Sequence, residues 1–187
     1  IIEVSGDKSI SIRCILLASQ AIGKSKIFNL LESEDVINSL KTVRNLGIQY
    51  KKINNYYEIY GFGINGYNLA KRVTINAGNS GTLARLILGL LVNSNKEIKI
   101  IGDRSLSKRD FSRVTDPLKI FGAIINSNKN SLPLKIKGSE FLRPIKYIEK
   151  LGSAQCKSCV MFAAIKTSGK TIIKAKKSRN HTEIIFR

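Results

Sequence analysis

Residues able to grip an anion gather at the start of three apolar stretches. The first is Gly6-Asp7-Lys8-Ser9-Ile10-Ser11-Ile12-Arg13, followed at once by Cys14-Ile15-Leu16-Leu17-Ala18. A Gly/Asp/Ser opening ahead of apolar residues predicts the start of a buried helix, here one that stops at Gly23. The first-turn N–H groups have no partner inside the helix, and the aligned peptide dipoles add positive potential. Such a mouth binds anions. Lys8 and Ser9 sit at it, and Arg13 shares a face with Ser9. The chemistry this suits is recognition of a phosphate or a carboxylate.

The same arrangement recurs twice. Asn79-Ser80-Gly81-Thr82 leads into Leu83–Val92, with Arg85 on the face of Thr82, and Ser153-Ala154-Gln155 leads into Cys156–Ile165, which stops at Gly169. Gly81 would let a ligand approach the backbone closely. Taken singly, each Ser or Asn is also an ordinary helix cap. The near-even interval of about 70 residues between Ser9, Ser80 and Ser153 argues for repeated structural units. Repeats should aim the three mouths the same way and focus positive potential on one surface. Two further clusters flank predicted elements: the loop Gly102-Asp103-Arg104-Ser105-Leu106-Ser107-Lys108-Arg109, and Ser178-Arg179-Asn180-His181, which holds the only histidine. Lys108 or Arg109 could clamp a carboxylate, Arg in bidentate fashion.

The elements that position these groups follow one pattern. Each apolar helix, buried on every side, is followed by a strand: Ser25–Leu30, Glu97–Ile101 and Thr171–Ala175. A second helix comes next. In the first unit Ser33 caps it, Glu34 and Asp35 occupy its first turn, and it ends at Leu46-Gly47. In the second unit it covers roughly Phe111–Phe121 and ends at Gly122, with Pro117 predicting a kink or a late start. In the third it begins near Ser178. Two strands close each complete unit, near 48–52 and 56–60, then 123–127 and 134–137. Asn54-Asn55 and Asn126–Asn130 read as hairpin turns. The unit is β-α-β-α-β-β, an α/β (α+β) fold with buried parallel helices and sheets outside. The expected division is one domain, 1–187, with units at about 1–65, 66–140 and 141–187, the last truncated. A start in mid-strand at Ile1 and a stop in mid-helix at Arg187 predict a fragment of a longer protein or a truncated chain.

Composition narrows the partner. Lys and Arg outnumber Asp and Glu by 32 to 13, a net charge of +19, which favours anionic partners. The lysines are scattered, so a generally basic surface accounts for part of this. Cys156 and Cys159 form a C-x-x-C inside an apolar helix without a second pair to complete a zinc site, so they read as core. Three cysteines and no signal peptide fit a reducing, cytoplasmic setting. No apolar run approaches the ~20 residues of a bilayer span.

Five ordered motifs carry a resemblance. Asp7-Lys8-Ser9-Ile10-Ser11-x-Arg13, Gly78-Asn79-Ser80-Gly81-Thr82-x-x-Arg85, Gly102-Asp103-x-Ser105-Leu106-x-Lys108-Arg109, Ser153-Ala154-Gln155-x-Lys157-Ser158 and Ser178-Arg179-x-His181-Thr182-Glu183 resemble EPSP synthase, the 3-phosphoshikimate 1-carboxyvinyltransferase family of the shikimate pathway. The Ser-Ala-Gln and Ser-Arg-x-His-Thr-Glu forms are similar to its glyphosate-tolerant bacterial branch. The resemblance implies most of the first of two domains of the enolpyruvyl transferase fold. It implies transfer of the enolpyruvyl group of phosphoenolpyruvate to the 5-hydroxyl of shikimate 3-phosphate, with no metal or organic cofactor. By motif position, Lys8 would touch both substrates. Ser9, Arg13, Ser153, Ala154, Gln155, Ser178 and Arg179 would hold shikimate 3-phosphate. Gly81, Arg109 and Gln155 would face phosphoenolpyruvate. Expected partners are small anionic substrates and the second domain of the same protein, in a monomer without nucleic acid or membrane.

Two departures stand out. Asp110 replaces the family's usual Pro after the loop Arg, where a carboxylate could compete for Arg109, and Ile12 replaces a polar residue. The family's proton-transferring carboxylates lie in the second domain, so this chain alone is expected to be inactive. The sister transferase acting on UDP-N-acetylglucosamine has Lys-Asn where Lys8-Ser9 stands, and a loop cysteine with no counterpart here. A nucleic-acid-binding module would fit the charge, with Tyr56, Tyr57 and Tyr60 near Lys51-Lys52 as its only aromatic hint. A ligand-binding domain without a partner half is a third reading.

Overall fold

The computed structural model describes residues 5–65, 67, 69 and 72–187. The strand expected at Ile1 lies outside the described residues. Two compact units, Ile1–Asn68 and Leu69–Arg187, make up the chain.

The first unit holds α1 (Lys8–Ala18), β1 (Ile22–Phe28), α2 (Glu34–Asn45), β2 (Gln49–Ile53) and β3 (Tyr56–Phe62). Its sheet runs β1-β3-β2, with both pairings antiparallel. Asp7 caps α1, its carboxylate accepting the Ile10 N–H at 2.8 Å. α1 packs on α2, and Ile12, Ile15 and Leu16 are fully buried with Val36, Leu40 and Val43. Each such side chain contributes about 1.5–3 kcal/mol.

Two expectations for α1 are corrected. It is not buried on every side: Lys8 and Ile10 are exposed, and Cys14 and Leu17 half-buried. It also stops short of Gly23. The Ser19 N–H returns to the Ile15 carbonyl and its hydroxyl to that of Leu16, and the strand has begun by Ile22. The strand expected at 25–30 therefore runs earlier, from Ile22 to Phe28.

The second unit holds β4 (Val73–Asn76), α3 (Gly81–Leu90), β5 (Ile98–Ile101), a 3-10 turn (Leu106–Lys108), α4 (Ser112–Phe121), β6 (Ile124–Ser127), β7 (Leu134–Lys137), β8 (Lys146–Glu149), α5 (Ala154–Ala164), β9 (Ile172–Ala175) and α6 (His181–Ile185). One sheet is ordered β4-β5-β7-β6 and a second is β8-β9. β4 pairs with β5 in parallel, as β8 does with β9, and β7 is antiparallel to both β5 and β6. A parallel pair requires a crossover. Here α3 and α5 are those crossovers, so the two βαβ segments repeat one another, and the mixed α/β expectation holds.

α3 packs on α5 and both touch α4. Every residue of α3 except Arg85 is buried, which is why its sequence is apolar nearly all round. α4 contains Pro117 yet begins at Ser112, so the late start is not seen. Asn126 belongs to β6, and the turn beyond it places Lys129 and Asn130 at positive φ. The third unit's second helix starts at His181, not near Ser178. Cys156 and Cys159 are buried free thiols, and burial pushes the Cys159 thiol up. Among the described residues no helix is long and apolar enough to cross a membrane.

Candidate active site

In the second unit, the mouths of α3 and α5 meet side chain to side chain. Ser80 caps α3, accepting the Leu83 N–H at 3.3 Å, and Ser153 caps α5, accepting the Cys156 N–H at 3.2 Å. The capping role of these serines is therefore real. It leaves the N–H groups of Thr82, Ala154 and Gln155 without a backbone partner among the described residues.

Gln155 joins the two mouths. Its amide nitrogen donates to the Thr82 hydroxyl at 2.9 Å, and its carbonyl accepts from Arg85 Nη1 at 3.0 Å. Arg85 is further held by the carbonyls of Gly81 and Asp110, both at 3.4 Å, and lies over the Phe111 ring at 5.0 Å. Burial pushes its pKa down, and the charges of Arg109 and Arg113 add to this. No ion pair neutralises Arg85 or Arg109 among the described residues. Arg109 is exposed at the end of the 3-10 turn and donates to Asn79 Oδ1 at 2.9 Å. The two guanidinium groups converge on Gly81: a Cβ there would lie 2.8 Å from Arg85 Nη1 and 2.9 Å from Arg109 Nη1. Two cations share one spot at a helix N-terminus that lacks a side chain, an arrangement that stabilises a bound anion.

Asp110 does not compete for Arg109. Its carboxylate turns to Ser112, accepting the N–H at 3.1 Å and the hydroxyl as well. These bonds hold its pKa below the usual carboxylate range, the hydroxyl contributing most.

The last motif is anchored on α5. Lys157, buried, forms an ion pair with Glu183, and Ser158 shares a hydrogen bond with Thr182 at 2.6 Å. Ser178 is half-buried and Arg179 exposed. Ser178, Lys157 and Asn180 line a cavity of about 660 Å³. Lys108 is exposed.

In the first unit, Lys8 and Ser9 open α1, with Lys8 half-exposed and paired with Asp35 at 2.9 Å. Arg13 is 2% exposed and donates to the Ser9 carbonyl at 2.9 Å. The Ser11 hydroxyl accepts the Leu31 N–H at 3.1 Å. Asp7 occupies part of this mouth, so α1 is capped by a carboxylate where α3 and α5 use neutral serines.

Sequence reading placed Arg85 on the correct face but gave it no role. Its partner lies 70 residues away, and no local pattern signals that pairing.

Comparison with known proteins gives the family. The signature of EPSP synthase (3-phosphoshikimate 1-carboxyvinyltransferase) matches residues 1–187. A 3-phosphoshikimate 1-carboxyvinyltransferase of Vesicomyosocius okutanii is 44% identical over 183 residues, 97% of this chain and 42% of the relative. One from Streptococcus mutans is 42% identical over 185 residues, 97% of this chain and 43% of the relative. The chain thus spans less than half the length of these relatives. The solved EPSP synthase of Acinetobacter baumannii superposes with a TM-score of 0.89 at 34% identity, covering 97% of this chain and 42% of that one. The enolpyruvyl transferase NikO from Streptomyces tendae shares the fold alone, with a TM-score of 0.66 at 12% identity over 92% of this chain and 39% of that one. On a match that runs from Ile1 to Arg187, the chain belongs to the EPSP synthase family.

Proposed function

We propose that the protein carrying this chain transfers the enolpyruvyl group of phosphoenolpyruvate to the 5-hydroxyl of shikimate 3-phosphate, and that this chain supplies anion-binding groups. The observation that carries the reading is the convergence of Arg85 and Arg109 on Gly81, bridged to α5 by Gln155. In the reaction the 5-hydroxyl gives up its proton as its oxygen bonds to the enol carbon of phosphoenolpyruvate, and the methylene carbon takes up a proton to become a methyl group. The tetrahedral ketal phosphate then loses inorganic phosphate, and a methyl proton leaves to restore the double bond. Both substrates are polyanions, so fixed cations and helix N–H groups stabilise charge without reorganisation, and holding the partners together supplies much of the rest.

The motifs assign Lys8, Ser9, Arg13, Ser153, Ala154, Gln155, Ser178 and Arg179 to shikimate 3-phosphate. Lys8, Gly81, Arg109 and Gln155 are assigned to phosphoenolpyruvate. The same reading makes the protein a cytoplasmic monomer. The test is phosphate release by the full-length protein with both substrates present, compared with either alone, together with calorimetry of this chain with shikimate 3-phosphate. Release only with both, and heat of binding abolished by Arg13→Ala, support the assignment. Release that does not depend on shikimate 3-phosphate refutes it.

A further inference from the structure

We propose that Glu149 and Arg113 are positioning residues: their ion pair holds the Ser153–Gln155 mouth in register with the segment that carries Arg109. Neither residue contacts the anion site itself, and the inference rests on the enolpyruvyl-transfer reading above.

Glu149 closes β8 and is 4% exposed. Its carboxylate is fully used. Oε2 accepts the Ser153 N–H at 2.8 Å, and Oε1 accepts the Leu151 N–H at 3.2 Å and Arg113 Nη2 at 2.6 Å. Burial opposes its ionisation, but the N–H groups of Ser153 and Leu151, with Arg113, prevail and hold its pKa down. The turn 150–153 is thereby wrapped around one negative charge. Ser153 is the cap of α5, and Gln155 lies two residues further, so the carboxylate sets where the mouth begins.

Arg113 supplies the second half. It lies in the first turn of α4, four residues after Arg109, with Asp110 and Ser112 tying the intervening backbone. The ion pair therefore fixes α4 to the turn before α5, while Gln155 fixes α5 to α3 through Thr82 and Arg85. Arg109, Arg85 and Gln155 are braced as one frame. A buried charge with three strong partners is costly to leave unsatisfied, which keeps the frame closed.

The test uses Glu149→Gln, Arg113→Ala and Arg113→Lys in the full-length protein, with steady-state phosphate release and circular dichroism. In Glu149→Gln one carbonyl oxygen replaces two acceptors, and an amide N–H₂ faces an N–H donor. The expected result is a KM for shikimate 3-phosphate raised about tenfold or more, misplacement of roughly 1 Å being worth up to ~100-fold, at full helical content. Arg113→Lys keeps the charge on a single contact and stays near wild type, while Arg113→Ala follows Glu149→Gln. Lowered thermal stability with unchanged KM in both Glu149→Gln and Arg113→Ala overturns the proposal. A second arm reads backbone amide shifts of this chain. Changes in Glu149→Gln that reach Ala154 and Gln155 support the brace, and changes confined to 149–151 overturn it. If the wild type shows no phosphate release, the enolpyruvyl reading fails, while the amide arm still decides the brace.

Discussion

Gly81→Ala tests the site most directly. Gly81 opens α3 with a helical backbone, so alanine is sterically allowed there and gains up to ~1 kcal/mol of helix propensity. The added carbon, however, lands 2.8 Å from Arg85 Nη1 and 2.9 Å from Arg109 Nη1, with Leu106 Cδ1 at 3.7 Å. Ordinary van der Waals contact begins at 3.4 Å, so each guanidinium must retreat by about half an ångström, the scale on which positioning governs rate. Arg85 is held by Gln155, two carbonyls and the Phe111 ring; among the described residues the Arg109 side chain has only Asn79. Arg109 therefore gives way the more freely of the two. Both nitrogens end flexible side chains, so stability changes by less than ~1 kcal/mol. A single methyl group intruding on a ligand is worth ~1–3 kcal/mol, so KM for phosphoenolpyruvate rises roughly 10–100-fold while that for shikimate 3-phosphate hardly moves. Steady-state phosphate release, varying one substrate at a time, measures both. Equal increases in the two values, or no increase in either, would refute the convergence argument.

Gln155→Ala strips Arg85 and Thr82 of their shared partner; we expect a stability loss of about 1–2 kcal/mol in urea denaturation and weaker binding of both substrates by calorimetry. Gly89→Ala drives a carbon to 2.2 Å from the Cys159 carbonyl and 3.0 Å from Phe162 Cβ. That is backbone against backbone at the α3–α5 contact, and thermal unfolding should show a loss of at least ~1–3 kcal/mol. Lys166 has its pKa lowered by burial from 10.5 to about 8. The unfolded chain then holds more protons than the folded one between about pH 8 and 10.5, so this group's contribution to stability rises with pH across that window and its penalty is complete below it. Lys166→Met should flatten that slope and stabilise the chain at neutral pH; an unchanged slope contradicts the assignment.

Local signals were legible where local physics decides. Glu34 and Asp35 occupy the first turn of α2 as read, and Gly122, at φ 121°, terminates α4; Ser33 stands at the N-cap position, but its hydroxyl makes no capping hydrogen bond, so that part of the reading is corrected. Gly23 misled because a glycine at positive φ also fits inside β1, and the true stop of α1 depends on Ser19, whose hydroxyl also meets Tyr67. Nothing near Ser19 in the sequence announces that contact. Asp110 was misjudged for the opposite reason. Asp-Phe-Ser is a local turn signature, and it outranked the adjacency of Arg109. The motif residues were visible as types, but the Gln155–Arg85 bridge and the Glu149–Arg113 pair join positions dozens of residues apart. Tertiary packing brings those together, α3 against α5 for the first pair and α4 against α5 for the second.

The amide of Gln155 faces a guanidinium that can only donate and a hydroxyl that can take either part. A carboxylate would satisfy Arg85 but cancel its charge, an ammonium would repel it, and a shorter Asn falls a methylene short of both. Drift at this position is therefore confined in a way that drift at the capping serine 80 is not, since Thr, Asn or Asp can each take a cap. A library randomised at these two codons should return a single side chain at 155 and a mixture at 80.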